Sequence, residues 1–209
     1  KDGKVLITAA DCTGHGVPGA FMSMIGNSLL NEIVNEKGAT EPADILQKLK
    51  EGVIKSLSQT GEAGTQKDGM DIALCAFDMA NMKLEFSGAY NPLFRIRNGE
   101  LKETRSDRMP IGVYSDDGGK VFTNYPMDME KGDIYYFFTD GFVDQFGGPR
   151  GKKYMGKRFK ALLMELHQLP MNEQSRKLDE VIEDWKAHVM GDGNTYEQMD
   201  DILIIGVRV

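Results

Sequence analysis

The chain has 209 residues, of which 41% are hydrophobic and 27% charged. This composition is ordinary for a globular protein, and the length allows one large domain with its own core. The formal net charge of −7 argues against non-specific binding to nucleic acid, which needs clusters of basic residues. No apolar run approaches the ~18 residues of a membrane span. Cys12 and Cys75 form neither a disulfide framework nor a zinc pattern, so we expect a reducing, cytoplasmic setting.

The first part of the chain predicts a strand followed by two helices. Residues 4–11 form an apolar run typical of a buried strand. After a Gly-His-Gly turn, apolar residues recur at helical spacing over 18–36, with Pro18 suited to the first turn. We expect one face of this helix to pack against a sheet through Phe21, Ile25, Leu29 and Ile33. Residues 42–58 predict a second amphipathic helix.

The rest of the chain predicts a run of strands, then two helices and a closing strand. The Gly-rich, polar residues 59–69 predict a loop. Strands are predicted at 70–78, 82–88, 93–97, 120–125 and 134–139, with a typical hairpin turn at Asn98-Gly99. Helices are predicted at 157–169 and 172–190, and a strand at 201–209. Strands that are grouped in runs indicate an α+β fold, in which helices lie outside antiparallel sheets.

Three acidic residues that are far apart in the chain adjoin apolar, strand-like runs. Asp11 and Asp140 each follow such a run, and Asp200 precedes the last one. Carboxylate oxygens are the ligands that Mg²⁺ and Mn²⁺ prefer, and a water held between two such ions becomes a nucleophile. We therefore predict that Asp11, Asp140 and Asp200 converge on one metal site, with their oxygens roughly 4–7 Å apart.

Each of these residues also has a simpler interpretation. Asp11 could be a helix cap or a turn residue, Asp140 could belong to an Asp-Gly turn, and Asp200 could be a solvated strand start. The Gly14-His15-Gly16 turn weakens the first alternative, because glycines allow close approach to a ligand at a helix N-terminus, where anions are favoured. The conjunction of all three residues favours the metal site.

Four further residues of these segments have open roles. His15 could be a general acid, since an ordinary His pKa of about 6.5 suits proton transfer, or a structural His bonded within its loop. Asp71 could be another metal-site acid or a turn residue. Asp144 could support the site from behind or lie on the surface, and the role of Asp201 is likewise open. Cys12 lacks a His partner signature for a nucleophile, so its backbone carbonyl is the more useful group.

Several segments together resemble one known family. Residues 10–20, with Asp11-Cys12-Thr13-Gly14-His15-Gly16, are similar to the D-x-T-G-H-G motif of SpoIIE/RsbU-type phosphatases, the bacterial branch of the metal-dependent 2C-type (PPM) Ser/Thr phosphatases. The similarity continues, in order and spacing, through residues 86–93 (like AGHNP), 109–113 (like PLG), 131–133 (like PGD), 139–144 (like TDGxxE) and 198–201. Tyr90 stands in place of the motif His, and Leu203 in place of a usual Thr.

The resemblance implies an α-β-β-α sandwich of two antiparallel sheets flanked by helices. It implies two Mn²⁺ or Mg²⁺ ions bridged by a hydroxide that attacks a phosphoserine or phosphothreonine. Carried over by position, Asp11 would bridge both ions and the Cys12 carbonyl would bind one, while Asp140 and Asp200 would hold the other. The family's upstream acidic residue, in a GGDFYD-like motif, has no counterpart here, so we expect one metal site to be incomplete and the activity to be weak.

On this basis, residues 1–209 are interpreted as a single SpoIIE-type phosphatase domain. We expect an N-terminally incomplete output module of a larger bacterial signalling protein, with an upstream sensor or receiver domain and a possible homodimer. The resemblance points to a phosphorylated, anti-sigma-factor-antagonist-like protein as substrate. One alternative is a pseudo-phosphatase that uses the same fold as a binding module. Another is a nucleotide hydrolase, which would need a base-binding pocket that the sequence does not indicate.

Overall fold

The computed structural model of the chain describes residues 1–60, 68–114, 119–189, 193 and 195–209. The described chain divides into two compact units. The first unit comprises Lys1–Leu93 and Thr104–Glu130, and the second comprises Phe94–Glu103 and Lys131–Val209. Residues 61–67 of the predicted loop, and residue 190 at the end of a predicted helix, lie outside the described residues.

The elements of the described chain follow one another in the order β1 (Lys4–Cys12), α1 (Gly16–Asn31), α2 (Pro42–Ser56), β2 (Met70–Asp78), β3 (Lys83–Ala89), β4 (Leu93–Arg97), β5 (Glu100–Thr104), β6 (Tyr125–Asp128), β7 (Ile134–Phe138), α3 (Gly141–Asp144), β8 (Phe146–Gly147), β9 (Lys152–Lys153), α4 (Gly156–Leu166), α5 (Met171–Lys186) and β10 (Ile204–Arg208). None of the helices in the described part of the chain has the length and apolarity needed to cross a membrane.

The first unit is built on an antiparallel sheet in the order β1-β2-β3-β6. Strand β2 is central and nearly continuously buried, and helix α2 covers the sheet with its fully buried Ile45, Leu46 and Leu49. Strand β1, predicted to be buried, lies at the edge of this sheet and buries only Ala9 fully. An edge strand is paired on one side only, which is why an apolar run here stays half-exposed.

Helix α1 and the turn that continues it pack against the core through Ile25, Leu29 and Ile33, as predicted, but not through Phe21. Phe21 is 60% exposed, whereas Met22 and Gly26 are buried. The helix continues into a π-helical turn at Glu32–Glu36, closed by the bond from Lys37 N to Glu32 O, and this turn buries Ile33. The prediction was wrong for Phe21 because the helix is apolar almost all round, so periodicity did not select the face. Gly26 lets the helix approach Met70 closely, since a Cβ there would lie 2.6 Å from the Met70 Cε.

The second unit is built on an antiparallel sheet in the order β10-β7-β4-β5. Strand β7 is buried at every position, as expected for a central strand of five aromatic and β-branched residues. Helices α4 and α5 pack their apolar faces against this sheet. Phe138 and Phe159 meet edge to face at 4.9 Å between ring centroids, and Phe142 lies 5.0 Å from Phe159. This aromatic cluster supports the end of β7, where Asp140 follows.

The predicted α+β fold with antiparallel sheets and helices is confirmed. Two strands differ from the prediction. The strand placed at 120–125 is wrong, because β6 begins at Tyr125, and Phe122 alone of the preceding residues is buried, with Val121 67% exposed. The closing strand begins at Ile204 rather than at residue 201, because residues 201–203 bond to the end of β7 through Thr139, as described below.

Candidate metal centre

Two of the predicted carboxylates lie together in the second unit. Asp140 follows β7 directly and occupies the position before α3, while Asp200 lies four residues before β10. Each offers a carboxylate oxygen within 4.8 Å of the other, and both residues are exposed. Two like-charged groups at this distance repel each other unless a cation lies between them. The pair therefore has the composition and spacing of a divalent-cation site.

Thr139 holds the two carboxylate-bearing segments together. Its amide donates to the Leu203 carbonyl at 3.0 Å, and its Oγ1 accepts from the Leu203 amide at 3.0 Å. The same hydroxyl donates to the Asp201 carbonyl at 3.0 Å. Gly141 completes the contact, since a Cβ there would lie 2.3 Å from the Asp201 oxygen. Thr139 is 3% exposed, so these bonds replace all the water its hydroxyl would otherwise bind.

Gln145 fixes the segment that precedes Asp200. Its side chain is fully buried. Its Nε2 donates to the Glu197 carbonyl at 2.8 Å, and its Oε1 accepts from the Met199 amide at 3.1 Å. Sequence reasoning missed Gln145 and Thr139 as positioning residues. Thr139 had a signal, since it precedes Asp-Gly in the TDGxxE-like segment, whereas nothing in the sequence singled out Gln145.

The electrostatics of Asp140 are those of a carboxylate that lacks a counter-charge. Its pKa is raised, first by burial and then by the negative charges of Asp200 and Asp144. Lys153 lowers the pKa in part, but its ammonium is engaged with the Asp144 carboxylate at 2.6 Å. A bound divalent ion would reverse this balance, because hard cations favour ionised oxygen ligands. The residues present therefore fit Mg²⁺ or Mn²⁺, and Asp144 lies behind the pair in an ion pair with Lys153.

Asp11 lies in the first unit, near the end of β1. Its partner across the β1–β2 ladder is Asp71. Asp71 lies within β2, so its interpretation as a turn residue was wrong. Thr13 joins the ends of the two strands: its amide donates to the Gly69 carbonyl at 2.9 Å, and its Oγ1 accepts from the Gly69 amide at 2.9 Å. The half-buried Asp11 is thereby held at a strand end with a second acid opposite.

The Gly-His-Gly turn leads from Asp11 into α1. Gly14 and Gly16 have φ of +86° and +65°, which glycine adopts without strain. His15 occupies the cap position before the first helical residue, whereas Asp11 lies within β1, so the helix-cap interpretation of Asp11 was wrong. His15 is exposed and makes no hydrogen bond with the described residues. The interpretation of His15 as a structural residue bonded within the loop therefore has no contact to support it.

The Cys12 side chain is half-buried. Its pKa is raised, chiefly by burial and further by Asp11, while a hydrogen bond with Ser23 acts in the opposite direction. The thiol is therefore neutral near pH 7, and the thiolate that a nucleophilic Cys needs is disfavoured. This agrees with the expectation that Cys12 is not a nucleophile, while the role of its backbone carbonyl stays a prediction.

A family model for stage II sporulation protein E (SpoIIE) matches residues 1–209. The chain belongs to the SpoIIE family. This family is the one whose motifs were recognised in the sequence, from Asp11 to Asp201. A comparison with curated proteins gave no match.

Solved structures similar to this SpoIIE-family chain are PP2C-type phosphatase domains. The SiaA-PP2C domain of Pseudomonas aeruginosa has a TM-score of 0.80 and 27% identity, covering 99% of this chain and 80% of that one. The PP2C phosphatase domain of SpoIIE from Bacillus subtilis, solved with a fragment of its regulatory domain, has a TM-score of 0.69 and 17% identity, covering 98% and 53%. The catalytic domain of the phosphatase PstP, in complex with two manganese ions, has a TM-score of 0.60 and 16% identity, covering 96% and 86%.

Proposed function

We propose that this SpoIIE-family chain hydrolyses phosphoserine or phosphothreonine on a regulatory protein in bacterial signalling, with the help of Mn²⁺ or Mg²⁺. The observation that carries this proposal is the pair of exposed carboxylates, Asp140 and Asp200, whose oxygens approach within 4.8 Å. Family membership and the PP2C fold support it. The two manganese ions of the similar PstP domain support the choice of metal.

In this proposal Asp140 and Asp200 hold one ion, while Asp11 and the carbonyl of Cys12 hold a second. Asp11 would contact both ions, so the convergence of the three carboxylates is part of the proposal. When bound, the ions would neutralise charge on the phosphoryl group and acidify a water. The exposed His15 ring would donate a proton to the serine or threonine oxygen that leaves, a role for which His is suited near neutral pH.

The proposed substrate is a phosphorylated protein similar to an anti-sigma-factor antagonist. The resemblance also favours an upstream sensor or receiver domain and a homodimer. The presence of a regulatory-domain fragment in the similar B. subtilis structure supports the first of these. Both cysteines are free thiols, which supports a reducing, cytoplasmic setting.

The first test measures hydrolysis and metal binding together. Hydrolysis of p-nitrophenyl phosphate and of a phosphoserine peptide should require Mn²⁺ or Mg²⁺ and stop with a chelator. Asp140→Asn should lower kcat/KM by about 100-fold or more, since it removes a ligand charge. Asp179→Asn is the matched control, because Asp179 is an exposed Asp of the same unit without an ion pair among the described residues.

Three outcomes separate the possibilities. Metal-dependent hydrolysis that is lost in Asp140→Asn and kept in Asp179→Asn supports the phosphatase. Metal binding by calorimetry without hydrolysis of either substrate favours the alternative, a pseudo-phosphatase that acts as a binding module. Hydrolysis that survives both the chelator and Asp140→Asn contradicts the proposed site.

A further inference from the structure

Four side chains of the first unit form a mixed aromatic and basic surface, called here the Tyr90–Lys120 surface: Tyr90, Arg108, Tyr114 and Lys120. The Lys120 Nζ lies 5.9 Å from the centroid of the Tyr114 ring. The pKa of the Tyr90 hydroxyl is raised by burial and then by Tyr114, and Arg108 lowers it. The four residues are therefore neighbours, although the chain places them up to 30 positions apart (120 − 90).

The backbone holds Tyr90 in an unusual conformation. Its φ is +59°, a left-handed value that is uncommon for a bulky residue. The Tyr90 amide donates to the Asp107 carbonyl at 2.9 Å, and the Asp107 amide donates to the Gly88 carbonyl at 3.0 Å. These bonds fix the turn, and the Tyr90 side chain remains 42% exposed. The turn therefore holds the Tyr90 ring at the surface of the unit, where an external group can contact it.

The basic side chains border a cavity of about 260 Å³. Its lining comprises Asp107, Arg108, Met109, Lys120 and Val121. The carboxylate of Asp107 is engaged within the unit, because it accepts from the Thr123 amide at 2.7 Å and from the Thr123 Oγ1 at 3.0 Å. Arg108 is exposed and forms no ion pair with any described residue. The cavity therefore offers at least one guanidinium whose donors are open to an anionic ligand.

The surface lies at the end of the sheet that carries Asp11. Tyr90 directly follows Ala89, which pairs with Ile72 across the β2–β3 ladder. Asp71, the residue before Ile72, is the ladder partner of Asp11. A phosphorylated residue whose phosphoryl group is held at Asp11 would thus place its neighbouring residues within reach of Tyr90 and Arg108.

We propose that the Tyr90–Lys120 surface binds acidic residues that flank the phosphorylated residue of a protein substrate. Arg108 and Lys120 would pair with the flanking carboxylates, while the Tyr90 and Tyr114 rings would contact the peptide backbone and apolar stems. The chain as a whole carries a net charge of −7, so a local basic surface is what lets an acidic segment approach. This inference rests on the proposed phosphatase function and names the substrate class that the site selects.

The test is a charge swap read by peptide binding and by turnover. Two phosphoserine peptides of equal length are compared, one flanked by Glu and one by Lys, by fluorescence anisotropy and by kcat/KM with Mn²⁺. The wild-type protein should favour the Glu-flanked peptide. In the Arg108→Glu/Lys120→Glu variant, the affinity for the Glu-flanked peptide should fall roughly 5- to 30-fold, because two exposed charges are reversed. It should also favour the Lys-flanked peptide instead.

Two controls separate binding from general damage. Lys102→Glu/Lys157→Glu makes the same charge change at two exposed lysines that form no ion pair with the described residues, and it should keep the wild-type preference. Arg108→Glu/Lys120→Glu should lower kcat/KM for the Glu-flanked peptide at least about fivefold more than it lowers kcat/KM for p-nitrophenyl phosphate, which has no flanking residues. Raising the salt to about 0.5 M should shrink the difference between wild type and variant, as expected of exposed charges.

A third variant tests the aromatic part. Tyr90→Asn removes the ring, and Asn tolerates a left-handed backbone, so the fold should persist while affinity for the Glu-flanked peptide falls a few-fold. An unchanged peptide preference in Arg108→Glu/Lys120→Glu overturns the inference. The inference is also overturned if an oligonucleotide of the same charge displaces the Glu-flanked peptide as well as the unlabelled peptide does, because the surface would then bind polyanions in general. If the wild type prefers the Glu-flanked peptide in binding but hydrolyses neither the peptides nor p-nitrophenyl phosphate, the phosphatase proposal fails while the binding surface stands.

Discussion

Removing one carboxylate of the metal centre should stabilise the metal-free protein. Asp140 and Asp200 approach within 4.8 Å, and the pKa of Asp140 is raised by burial and by its acidic neighbours. In the absence of a cation, the folded state therefore holds a repulsion that the unfolded chain largely relieves. Asp140→Asn removes the charge and keeps the shape, so its free energy of unfolding should exceed that of the wild type. Function and stability oppose each other at such sites.

Coulomb's law sets the magnitude. Two unit charges 4.8 Å apart repel by about 0.9 kcal/mol in water and by about 3.5 kcal/mol at an effective dielectric constant of 20. Both residues are exposed, so the value should lie near the lower limit, about 1 kcal/mol. For a chain of this length that corresponds to a rise in Tm of about 2–4 °C.

The dependence on pH follows from the direction of the pKa shift. Because the pKa of Asp140 is raised in the folded state, the folded state binds a proton more tightly than the unfolded chain. The resulting stability is fully present below the ordinary Asp pKa of about 3.9 and is lost as the pH rises through the raised value. Asp140→Asn has no carboxyl group to ionise, so it does not lose this stability as the pH rises. Its advantage over the wild type should therefore be largest near pH 7 and should shrink as the pH falls toward 4.

The assay is urea unfolding of wild type, Asp140→Asn and Asp179→Asn, each with a chelator and with Mn²⁺. With the chelator, Asp140→Asn should be the most stable of the three. With Mn²⁺ at 100 times the dissociation constant, the wild type and the control should gain about 2.7 kcal/mol, and the order should reverse. A lower stability of Asp140→Asn in chelator would refute the reasoning, because Asp140 would then hold its loop rather than be repelled within it.

Three further changes test other parts of the structure. Phe21→Ser should change the free energy of unfolding by less than about 0.5 kcal/mol, and Ile33→Ala should cost about 2–4 kcal/mol; similar losses in urea unfolding would contradict the orientation of α1. Asp133→Ala should cost about 3–5 kcal/mol, since it deprives Arg97 of a two-point contact at 2.7 and 2.6 Å; a loss below 1 kcal/mol by the same method would count against it. Gly141→Ala should lower Mn²⁺ affinity in calorimetry by roughly 10- to 100-fold, because its Cβ would lie 2.3 Å from the Asp201 oxygen; unaltered affinity would show that this contact is dispensable.

Helices and strands were predictable where the sequence pattern was compatible with only one type of secondary structure. Strand β7 is an uninterrupted run of aromatic and β-branched residues, and its predicted bounds differ from the structure by one residue. Helices α2, α4 and α5 each have one polar and one apolar face. Helix α1 is apolar around most of its surface, so the pattern included Phe21 in the buried face although Phe21 is 60% exposed. The strand placed at 120–125 failed for a related reason, because Phe122 alone of residues 120–124 is buried.

The sequence indicates Asp11, Asp140 and Asp200 as candidate ligands because each stands where an apolar run meets a polar segment. Their supports were harder to predict. Gln145 acts through hydrogen bonds to Glu197 and Met199, more than 50 positions along the chain, and the strand bounds near Asp200 depend on Thr139 in the same way. Long-range hydrogen bonds leave no periodic trace in a sequence.

The geometry around Asp140 explains why a phosphatase of this kind would depend on its metal for more than chemistry. The loop after β7 carries Asp140 and Asp144, and the segment before β10 brings Asp200 to the same place. Lys153 is committed to Asp144 at 2.6 Å, and within the described part of the chain no ion pair balances Asp140 or Asp200, so we expect a bound metal ion to supply the missing positive charge. A rigid frame built from Thr139, Gly141 and Gln145 keeps the two acids close despite their repulsion. Such a frame favours a small, doubly charged ion, because a single ammonium or guanidinium neutralises only one of the two carboxylates.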